Sequence, residues 1–495
     1  MSSHLRTLVL VVAAVVVGRA SPLSAQTLSA AELAGVQRWY RTTVRRTGPG
    51  TWGIAIGTVD GHLLWSANPD LELIPASTAK VFTTGFTRAR VGGHATRTTR
   101  ITGAGHVDPA GCWVGTWALD VVGDVTLERP DRSGPTLRQL AERLASRGIR
   151  AIKGPLTLTS HGGPALARFP SVWSSSIEGQ LYAPPVGPVT LHENTVSFTF
   201  RPGRRAGERP TVLSTLPAGL GELVRIAAAT VPGRRSRLTL RPAADGGWTL
   251  TGTIGVAVRS AGTSAVAHEP TVVMAYAWAV ALGQAGIRWE RRGVPAMPGP
   301  GEPKVLLAEV ESAPLDTVAS EVNLRSFNIG AELLLQWGAG NQIDGPRLVT
   351  QHVRDIVGPT ARVHLVDGSG LSELDRVSPL TQMLYLARYP QQVGSERFPL
   401  LLPANGTGTL RRLRYGMGSG VVHAKTGTLD HVATLTGYLG RPDGVLVVSL
   451  MYNGARIRVA RAAEWELFRL LGAEGVNLTS VIDTKMGGPS TRGDR

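Results

Sequence analysis

Cysteine is nearly absent from this sequence. Cys112 is the only cysteine among 495 residues. A single cysteine cannot form an internal disulfide, and it cannot build a cysteine cluster that binds a metal. Cys112 also lies far from the N-terminal region, which argues against a mature protein anchored by a lipid on an N-terminal cysteine.

Lysine is the next scarce residue type. It supplies only five of the 52 basic residues, which leaves 47 arginines. Arginine thus occupies most positions where any positive charge would serve. Each remaining lysine is therefore a candidate for a role that needs an amine. A desolvated amine can lose its proton near neutral pH, whereas a guanidinium cannot. This argument favours Lys80 and Lys425 and gives no role to Lys485, which lies in a polar tail.

Long hydrophobic runs are missing as well. The apolar run Leu8–Val17 follows His4 and Arg6 and is too short to cross a bilayer comfortably. Small residues come next, and this order predicts a secretory signal peptide over residues 1–25, with an uncleaved anchor as the alternative. We expect an exported protein of the periplasm, the cell envelope or the extracellular space, peripheral to a membrane at most.

What the chain does have is the composition of a large globular protein. It is 42% hydrophobic and 18% charged, and its length suffices for two or three domains. The formal net charge of +16 suits an anionic partner such as a cell-wall polymer, an anionic lipid or a nucleic acid. The arginines are scattered and not interleaved with aromatic residues, so we expect no nucleic-acid binding.

Helix and strand patterns divide the chain into three parts. A helix is predicted over Ala30–Arg45, followed by strands Trp52–Thr58 and His62–Ser66 around an Asp60-Gly61 turn. Short β-like runs and turns dominate from about residue 92 to residue 300. Those runs are Trp117–Val122, Ile152–Thr159, Thr195–Phe200, Arg237–Leu240 and Trp248–Ile254, with helices predicted over Thr136–Arg147 and Thr271–Ala285. The last part returns to helix over Leu315–Gly338, then forms a meander of Gly420–Thr426, Val432–Leu439 and Val445–Tyr452 and ends in a helix over Arg456–Leu471.

A serine and a lysine three positions apart form the first candidate motif. Ser77 and Lys80 lie at the start of a predicted helix, just after Pro75. Positions three apart share a helix face, so the hydroxyl and the amine can meet. A hydroxyl beside an amine that is held partly neutral is a nucleophile with its own base. Because Ser-Thr-Ala-Lys is also a common surface tetrapeptide, its meaning depends on two later motifs.

The second motif is the triplet Ser326-Phe327-Asn328. Residues two apart do not share a helix face, so we expect this triplet on a turn between helices. Capping of the following helix is the structural alternative for Asn328.

The third motif, Lys425-Thr426-Gly427-Thr428, ends a predicted strand. Gly427 leaves room for another backbone to approach closely. A cation, a hydroxyl and free strand-edge N–H groups can hold an extended peptide that ends in a carboxylate. An ordinary turn is the alternative interpretation.

Together the three motifs resemble the S-x-x-K, S-x-N and K-T-G set of penicillin-binding proteins and serine β-lactamases. Two further stretches, Asp367–Ser372 and Leu402–Arg411, and the 249-residue separation of Ser77 from Ser326 narrow this likeness. The chain is similar to the low-molecular-mass class C D-alanyl-D-alanine carboxypeptidase/endopeptidase family, peptidase family S13. The likeness is weak in the long insertion, the segment from about residue 92 to residue 300, where Gly123-Asp124 and Leu191–Asn194 carry it.

The resemblance implies catalytic roles for four residues. Ser77 would attack the terminal D-Ala-D-Ala bond of a peptidoglycan stem peptide and form an acyl-enzyme. Lys80 would take the serine proton, if burial and the nearby Lys425 charge keep its amine partly neutral. Ser326 would relay a proton to the leaving amine, and Asn328 would orient Lys80 and the substrate amide. No metal and no cofactor are implied, and β-lactams are expected inhibitors.

The resemblance also implies the substrate-binding residues. Lys425 and Thr426 would bind the terminal carboxylate. Gly427 would allow the close approach, and the backbone N–H groups of Ser77 and Thr428 would form the oxyanion hole.

The expected fold follows partly from pattern and partly from the resemblance. Strand signals at both ends of the chain suggest one antiparallel sheet assembled from distant segments. The resemblance implies an α/β (α+β) fold, namely a penicillin-binding/β-lactamase-like transpeptidase domain with helices flanking that sheet and mostly-β domains inserted in it. The expected division is 1–25 signal peptide, 26–91 and 301–483 catalytic domain, 92–190 and 265–300 second domain, 191–264 third domain and 484–495 flexible tail.

Three alternatives remain open at this point. A serine β-lactamase would share all three motifs, although the long insertion argues against it. A non-catalytic cell-wall-binding protein could use the same fold. A Ser-His-Asp esterase would need a G-x-S-x-G elbow, and Gly368-Ser369-Gly370 does not have that spacing. We interpret Ser369 as a turn residue, and His423 and His431 as strand and turn residues.

Overall fold

The helices and strands in the described part of the chain lie between Ala30 and Lys485. The computed structural model describes residues 27–131, 133–161, 163–291, 304–414 and 417–485. The predicted signal peptide lies outside the described residues. So does most of the predicted tail, whose first two residues end the last described helix.

The elements are named here in chain order. The helices are α1 Ala30–Thr47, α2 Lys80–Val91, α3 Leu137–Ser146, α4 Pro270–Gln284, α5 Leu315–Arg325, α6 Asn328–Ala339, α7 Gly345–Val357, α8 Pro379–Arg388, α9 Ile457–Leu471 and α10 Leu478–Lys485. The first strands are β1 Gly50–Thr58, β2 Leu63–Ala67, β3 Thr98–Val107, β4 Trp113–Asp120, β5 Ala151–Lys153, β6 Leu158–Ser160 and β7 Gly163–Pro164. The next are β8 Thr195–Arg201, β9 Thr211–Leu216, β10 Val224–Ile226, β11 Ala229–Val231, β12 Arg237–Pro242, β13 Trp248–Gly255 and β14 Ala261–Val266. The last are β15 Arg288–Glu290, β16 Lys304–Glu311, β17 Val363–His364, β18 Arg376–Val377, β19 Val422–Leu429, β20 Val432–Arg441 and β21 Gly444–Gly454.

A five-stranded antiparallel sheet joins the two ends of the described chain. Its strand order is β19-β20-β21-β1-β2. Strand β1 pairs with β21 over its full length, from Gly50 opposite Gly454 to Thr58 opposite Leu446. The expectation of one antiparallel sheet built from distant segments is confirmed. Strand β19, which carries the Lys425 motif, is the edge strand of this sheet.

Four strands of this sheet, β19, β20, β21 and β1, are mostly buried. Successive side chains of a strand point to opposite sides, so both faces of these strands lie in a core. In β21, Leu446, Val448 and Leu450 belong to the core beneath α1 and α9. Val447 and Met451 belong to the core formed with α2, α7 and α8. Helices therefore cover the sheet on both sides, as the α/β fold class predicts.

The first helix also shows its start in the sequence. Ser29 caps α1 by accepting a hydrogen bond from the Glu32 backbone, and the Glu32 carboxylate accepts one from the Ser29 backbone in return. This reciprocal capping box satisfies two backbone donors that a helix start would otherwise leave unpaired.

The middle of the chain forms most of the further sheets, one of which also has five strands. One has the order β16-β3-β4-β6-β7, a second has the order β14-β8-β9, and a third contains β10, β13 and β11 with β12 paired to β13. The expected domain boundaries remain a prediction. Strand β16 lies within the segment 301–483, which was predicted to belong to the catalytic domain, but it pairs with β3 of the predicted second domain.

One predicted strand is wrong in detail. The run Ile152–Thr159 is not one strand, because β5 and β6 are separate and lie in different sheets. Gly154 and Pro155 separate them, and proline has no N–H to donate to a sheet ladder. Among the described residues, no helix combines the length and the apolar character that a membrane span requires.

Two helices place the first two motifs side by side. Helix α2 packs against α6, and the Thr87 hydroxyl donates to Leu334 O at 2.8 Å. Gly338 allows this close packing, since a Cβ at that position would lie 2.8 Å from Phe86. At the other side of α2, Arg88 Nε donates to Asp316 Oδ1 of α5 at 2.8 Å.

Candidate active site

Ser77 lies in a single 3-10 turn, Ala76–Ala79, that leads directly into α2. A 3-10 turn has three residues per turn, so positions i and i+3 lie in line. Ser77 Oγ accepts a hydrogen bond from Lys80 Nζ at 3.0 Å. The Thr78 hydroxyl holds the turn by donating to Pro75 O at 2.8 Å. The expectation that the hydroxyl of Ser77 and the amine of Lys80 meet is confirmed.

The Lys80 amine is buried and has three acceptors. Besides Ser77, Lys80 Nζ donates to Asn328 Oδ1 at 2.7 Å and to Ser369 O at 2.6 Å. Burial lowers the pKa of Lys80 to about 8, against the opposing effect of three nearby carboxylates. Burial, rather than the charge of Lys425, is therefore the main cause of this lowered pKa.

Two of those carboxylates hold the loop beneath Lys80. Glu332 of α6 accepts hydrogen bonds from the backbone N–H groups of Gly368 at 3.0 Å and of Ser369 at 2.8 Å. Asp367 accepts from the Ser369 backbone at 3.1 Å. These bonds fix the peptide whose carbonyl accepts from Lys80. Burial, followed by the negative charge of Asp367, raises the pKa of Glu332 to about 8.

Asp367 also ties this loop to the insertion. Its carboxylate accepts from the Gly370 backbone at 2.6 Å and from the indole N–H of Trp173 at 3.0 Å. Gly370 has φ +71°, and a Cβ there would lie 1.9 Å from the carbonyl oxygen of Ala76. Glycine is thus required where the loop touches the Ser77 turn. Burial, followed by the charge of Asp367, raises the pKa of Asp375, the third carboxyl of the group, well above its ordinary value.

Ser326 lies in the turn between α5 and α6, as predicted. It ends α5 with φ +58°, in the left-handed region that residues with a Cβ seldom adopt. Its hydroxyl accepts a hydrogen bond from Lys425 Nζ at 2.9 Å. The second and third motifs are thereby in direct contact.

Asn328 does not cap helix α6. The cap position belongs to Phe327, and the Asn328 side chain points into the site. Its oxygen accepts from Lys80 and its nitrogen donates to Tyr182 O at 2.9 Å. The carboxamide therefore links the amine of Lys80 to the backbone of the insertion.

Lys425 and Gly427 bring strand β19 against the Ser77 turn. Lys425 is fully buried, and burial, followed by the charges of Lys80 and Arg461, lowers its pKa well below the ordinary value. A Cβ on Gly427 would lie 2.7 Å from Pro75 O and 2.9 Å from the Ser77 backbone nitrogen. The expectation that Gly427 permits a close backbone approach is confirmed.

Thr426 and Thr428 occupy the same strand at alternate positions, so their side chains share one face of β19. Thr426 is buried and Thr428 is exposed. Thr428 Oγ1 accepts from Arg461 Nη2 at 2.9 Å, and Arg461 Nη1 donates to Thr434 O at 2.8 Å. Arg461, on helix α9, thus supports the end of the edge strand.

These motifs open into a cleft of about 640 Å³. Ser77, Ser326, Asn328 and Thr428 line it. Residues between 172 and 182 of the insertion, including Trp173 and Tyr182, line it as well. A cleft of this size, with polar groups converging on a nucleophile, can hold a small peptide.

The remaining serine and histidine predictions concern structural positions. Ser369 is buried, and its backbone and hydroxyl both donate to Asp367, so it is a turn residue as interpreted. His423 lies in β19 and its Nδ1 contacts Leu402 O at 3.0 Å. His431 lies in the turn between β19 and β20.

Comparison with known proteins agrees with this geometry. A model of the D-Ala-D-Ala carboxypeptidase 3 (S13) family matches residues 47–471, which is most of the chain. The chain belongs to the S13 family. The resemblance drawn from the three motifs is confirmed, and the chain is an enzyme of the serine-type D-Ala-D-Ala carboxypeptidase class.

Individual relatives of this S13 protein are distant in sequence. A D-alanyl-D-alanine carboxypeptidase of Actinomadura sp. (strain R39) is 25% identical over 421 residues, which cover 81% of this chain and 77% of the relative. Penicillin binding protein 4 (dacB) of Haemophilus influenzae has a similar fold, with a TM-score of 0.68 and 19% identity. That alignment covers 86% of this chain and 99% of the neighbour. At this identity, the likeness supports the fold alone.

Several residues of the site were not found by sequence reasoning. Glu332 and Asp375 gave no motif, and Asp367 was noted only as part of a family-like block. Arg461 gave no signal either, because it is one of 47 arginines. One signal could have indicated two of these carboxylates. Asp367 stands beside Gly and Ser residues, and Glu332 stands within an apolar helix, where an ionisable group needs a partner.

We expect Gly427→Ala to destabilise the protein by about 1–3 kcal/mol, because the added methyl overpacks the contact between β19 and the Ser77 turn. Thermal unfolding measures the effect. Gly283→Ala in α4 is the matched control, since a Cβ at that position has open space around it and alanine favours a helix. Equal unfolding midpoints for the two variants would contradict the close contact at Gly427.

Proposed function

We propose that this S13 enzyme cleaves the terminal D-Ala-D-Ala bond of peptidoglycan stem peptides through an acyl-enzyme on Ser77. One observation carries the proposal: the hydrogen bond between Lys80 Nζ and Ser77 Oγ, in a site where Ser326 and Lys425 also meet. A serine beside a buried amine has the parts of an activated nucleophile.

Acylation begins with Lys80. When the amine loses the proton that it directs to Ser77, the hydrogen bond reverses, and the Ser77 hydroxyl donates to the neutral amine. Lys80 then takes that proton as Ser77 Oγ bonds to the carbonyl carbon of the penultimate D-Ala. The two other acceptors of Lys80, Asn328 Oδ1 and Ser369 O, hold the resulting ammonium in place.

The negative charge that develops on the carbonyl oxygen needs donors. We assign these to the backbone N–H groups of Ser77 and Thr428, since β19 lies against the Ser77 turn at Gly427. Removing one such donor costs roughly 3 kcal/mol in other acyl-transfer enzymes.

The terminal carboxylate of the substrate would lie near Lys425 and the hydroxyls of Thr426 and Thr428. In the free enzyme, burial and neighbouring cations lower the pKa of Lys425. A bound carboxylate would raise that pKa again, because an adjacent negative charge stabilises the ammonium.

Cleavage requires a proton on the leaving D-alanine amine. Ser326, which accepts from Lys425, is placed to pass one from its hydroxyl and to receive in return the proton that Lys80 took from Ser77, which leaves Lys80 neutral again. Water then attacks the acyl-enzyme with Lys80 as base, which releases the shortened peptide and restores Ser77.

β-Lactams are proposed inhibitors by the same chemistry, since Ser77 would open the lactam ring and remain acylated. The Haemophilus influenzae neighbour has been solved in complex with a β-lactam. We also propose an exported enzyme, because its polymer substrate lies outside the cytoplasmic membrane and residues 1–25 have the pattern of a signal peptide.

Ser77→Ala should abolish two activities together: release of D-alanine from a D-Ala-D-Ala peptide and covalent labelling by a fluorescent penicillin. Loss of the nucleophile is expected to cost at least about 10³-fold in rate. Ser197→Ala, on β8 and remote from the cleft, is the control and should retain both. Labelling that persists in Ser77→Ala would refute Ser77 as nucleophile, and rapid turnover of nitrocefin by the wild type would favour a β-lactamase.

Acylation should depend on pH through Lys80. The amine acts only when neutral and its pKa is lowered to about 8, so the rate should fall about tenfold per pH unit below that value and level off above it. Single-turnover acylation across pH 6–10, roughly centred on that pKa, measures the profile. Lys80→Arg should abolish acylation because a guanidinium stays charged, whereas Lys153→Arg, an exposed pair with Glu290, should match the wild type. A flat profile would exclude Lys80 as the titrating base.

The proposed activity extends to cross-links. Carboxypeptidase and endopeptidase cleavage break the same type of bond after D-Ala and differ in the group that leaves. Digestion of purified peptidoglycan should therefore release free D-alanine and reduce the cross-linked dimers, both measured by chromatography. Dimers that persist while D-alanine accumulates would limit the enzyme to carboxypeptidase action.

A further inference from the structure

A charged pair joins the insertion to the turn that carries Ser326. Arg325 Nη1 and Nη2 donate to the two carboxylate oxygens of Glu193 at 2.6 and 2.7 Å. The Glu193 side chain is only 9% exposed. A fork of two parallel charge-assisted hydrogen bonds fixes direction as well as distance.

The backbone that presents Glu193 is strained. His192, Glu193 and Asn194 are consecutive and all left-handed, with φ values of +47°, +60° and +51°. Side chains with a Cβ disfavour this conformation, so the surroundings must impose it. The Asn194 carboxamide does so in part, because its nitrogen donates to Pro185 O at 3.0 Å and to Val189 O at 3.1 Å.

Arg325 is held on a second side by an aromatic ring. Its guanidinium lies 4.6 Å from the centre of the Phe327 ring. Arg325 and Phe327 are the two neighbours of Ser326, whose own φ is +58°. The ion pair with Glu193 and the stacking on Phe327 therefore restrain the strained turn on both sides of Ser326.

The pair belongs to a wider network between the insertion and α5. Arg325 Nη1 also donates to Glu321 Oε1 at 3.0 Å, and Glu321 forms an ion pair with Arg129. Glu193 is the member of this network that binds Arg325 through both carboxylate oxygens, and it comes from the insertion rather than from α5.

We propose that Glu193 is a positioning residue for the reaction: acting through Arg325, it holds the Ser326 hydroxyl within reach of Lys425. This gives the insertion an indirect part in catalysis, and it rests on the function proposed above. Without Glu193, Arg325 can leave the Phe327 ring, and the left-handed turn at Ser326 loses one of its restraints. The hydroxyl would then spend less time where Lys425 can donate to it.

The experiment measures steady-state D-alanine release for Glu193→Ala, Arg325→Ala and the double variant. Glu193→Ala should lower kcat about 10- to 100-fold, the effect of a small misplacement of a catalytic group, with KM changed less than about twofold. The double variant should be no slower than Arg325→Ala, because Glu193 acts through that arginine. Glu309→Ala is the control, since it removes a partly exposed carboxylate of β16 that pairs at 3.1 Å with Arg100 of β3 and not with the turn that carries Ser326.

Thermal unfolding distinguishes a variant that misplaces Ser326 from a variant that no longer folds. If Glu193→Ala unfolds at the assay temperature, Glu193→Gln keeps one acceptor for Arg325, and its kcat and KM are measured instead. Unfolding of both variants, a wild-type kcat in a folded variant, or a loss that falls on KM alone would each overturn the positioning role. A wild-type enzyme that releases no D-alanine would instead overturn the proposed function itself.

Discussion

The site depends on one buried amine with three acceptors. Lys80 has no contact with solvent, and its Nζ is held by an oxygen from each of three chain segments: Ser77, Asn328 and Ser369. Desolvation disfavours the charged form, and the negative charges of Asp367, Glu332 and Asp375 favour it. The balance leaves the pKa at about 8, close enough to neutrality for the same group to accept and return a proton.

That balance explains why Glu332 and Asp367 lie near the Lys80 amine without being its hydrogen-bond acceptors. Glu332 and Asp367 do not contact Lys80 directly; they hold the backbone of residues 367–372 so that a carbonyl does. A direct carboxylate would keep Lys80 fully charged, because an opposite charge within a few ångströms favours the charged form. A carbonyl provides the hydrogen bond with only a partial charge. The carboxylates thus supply position, and distance limits their effect on the pKa.

Close backbone contacts bring the three motifs to one point. Gly427 admits the Ser77 turn against β19, Gly370 admits the loop against Ala76, and Gly338 admits α6 against α2. Each position would clash with a Cβ. The insertion closes the remaining side, since Trp173 donates to Asp367 and Tyr182 O accepts from Asn328. The cleft is therefore an interface between the sheet-based part of the protein and the insertion.

Local patterns were enough to predict much of this protein. The hairpin at Asp60-Gly61, the C-terminal meander and the turn at Ser326 follow from short-range rules of turn and strand chemistry, and the scarcity of lysine singled out Lys80 and Lys425 without any structure. The break at Gly154-Pro155 is also local, because proline has no N–H for a sheet ladder, and the strand prediction across it was wrong. What only the tertiary structure decided is which distant groups meet: Glu332 with the loop at 368, Arg461 with Thr428, and Arg325 with Glu193. Arg325 and Glu193, for example, are more than a hundred residues apart and meet only when the chain folds. The sequence around a common residue such as arginine or glutamate does not indicate which distant residue it will contact. Burial, which sets the pKa of Lys80, is likewise a property of the assembled fold and not of any stretch of chain.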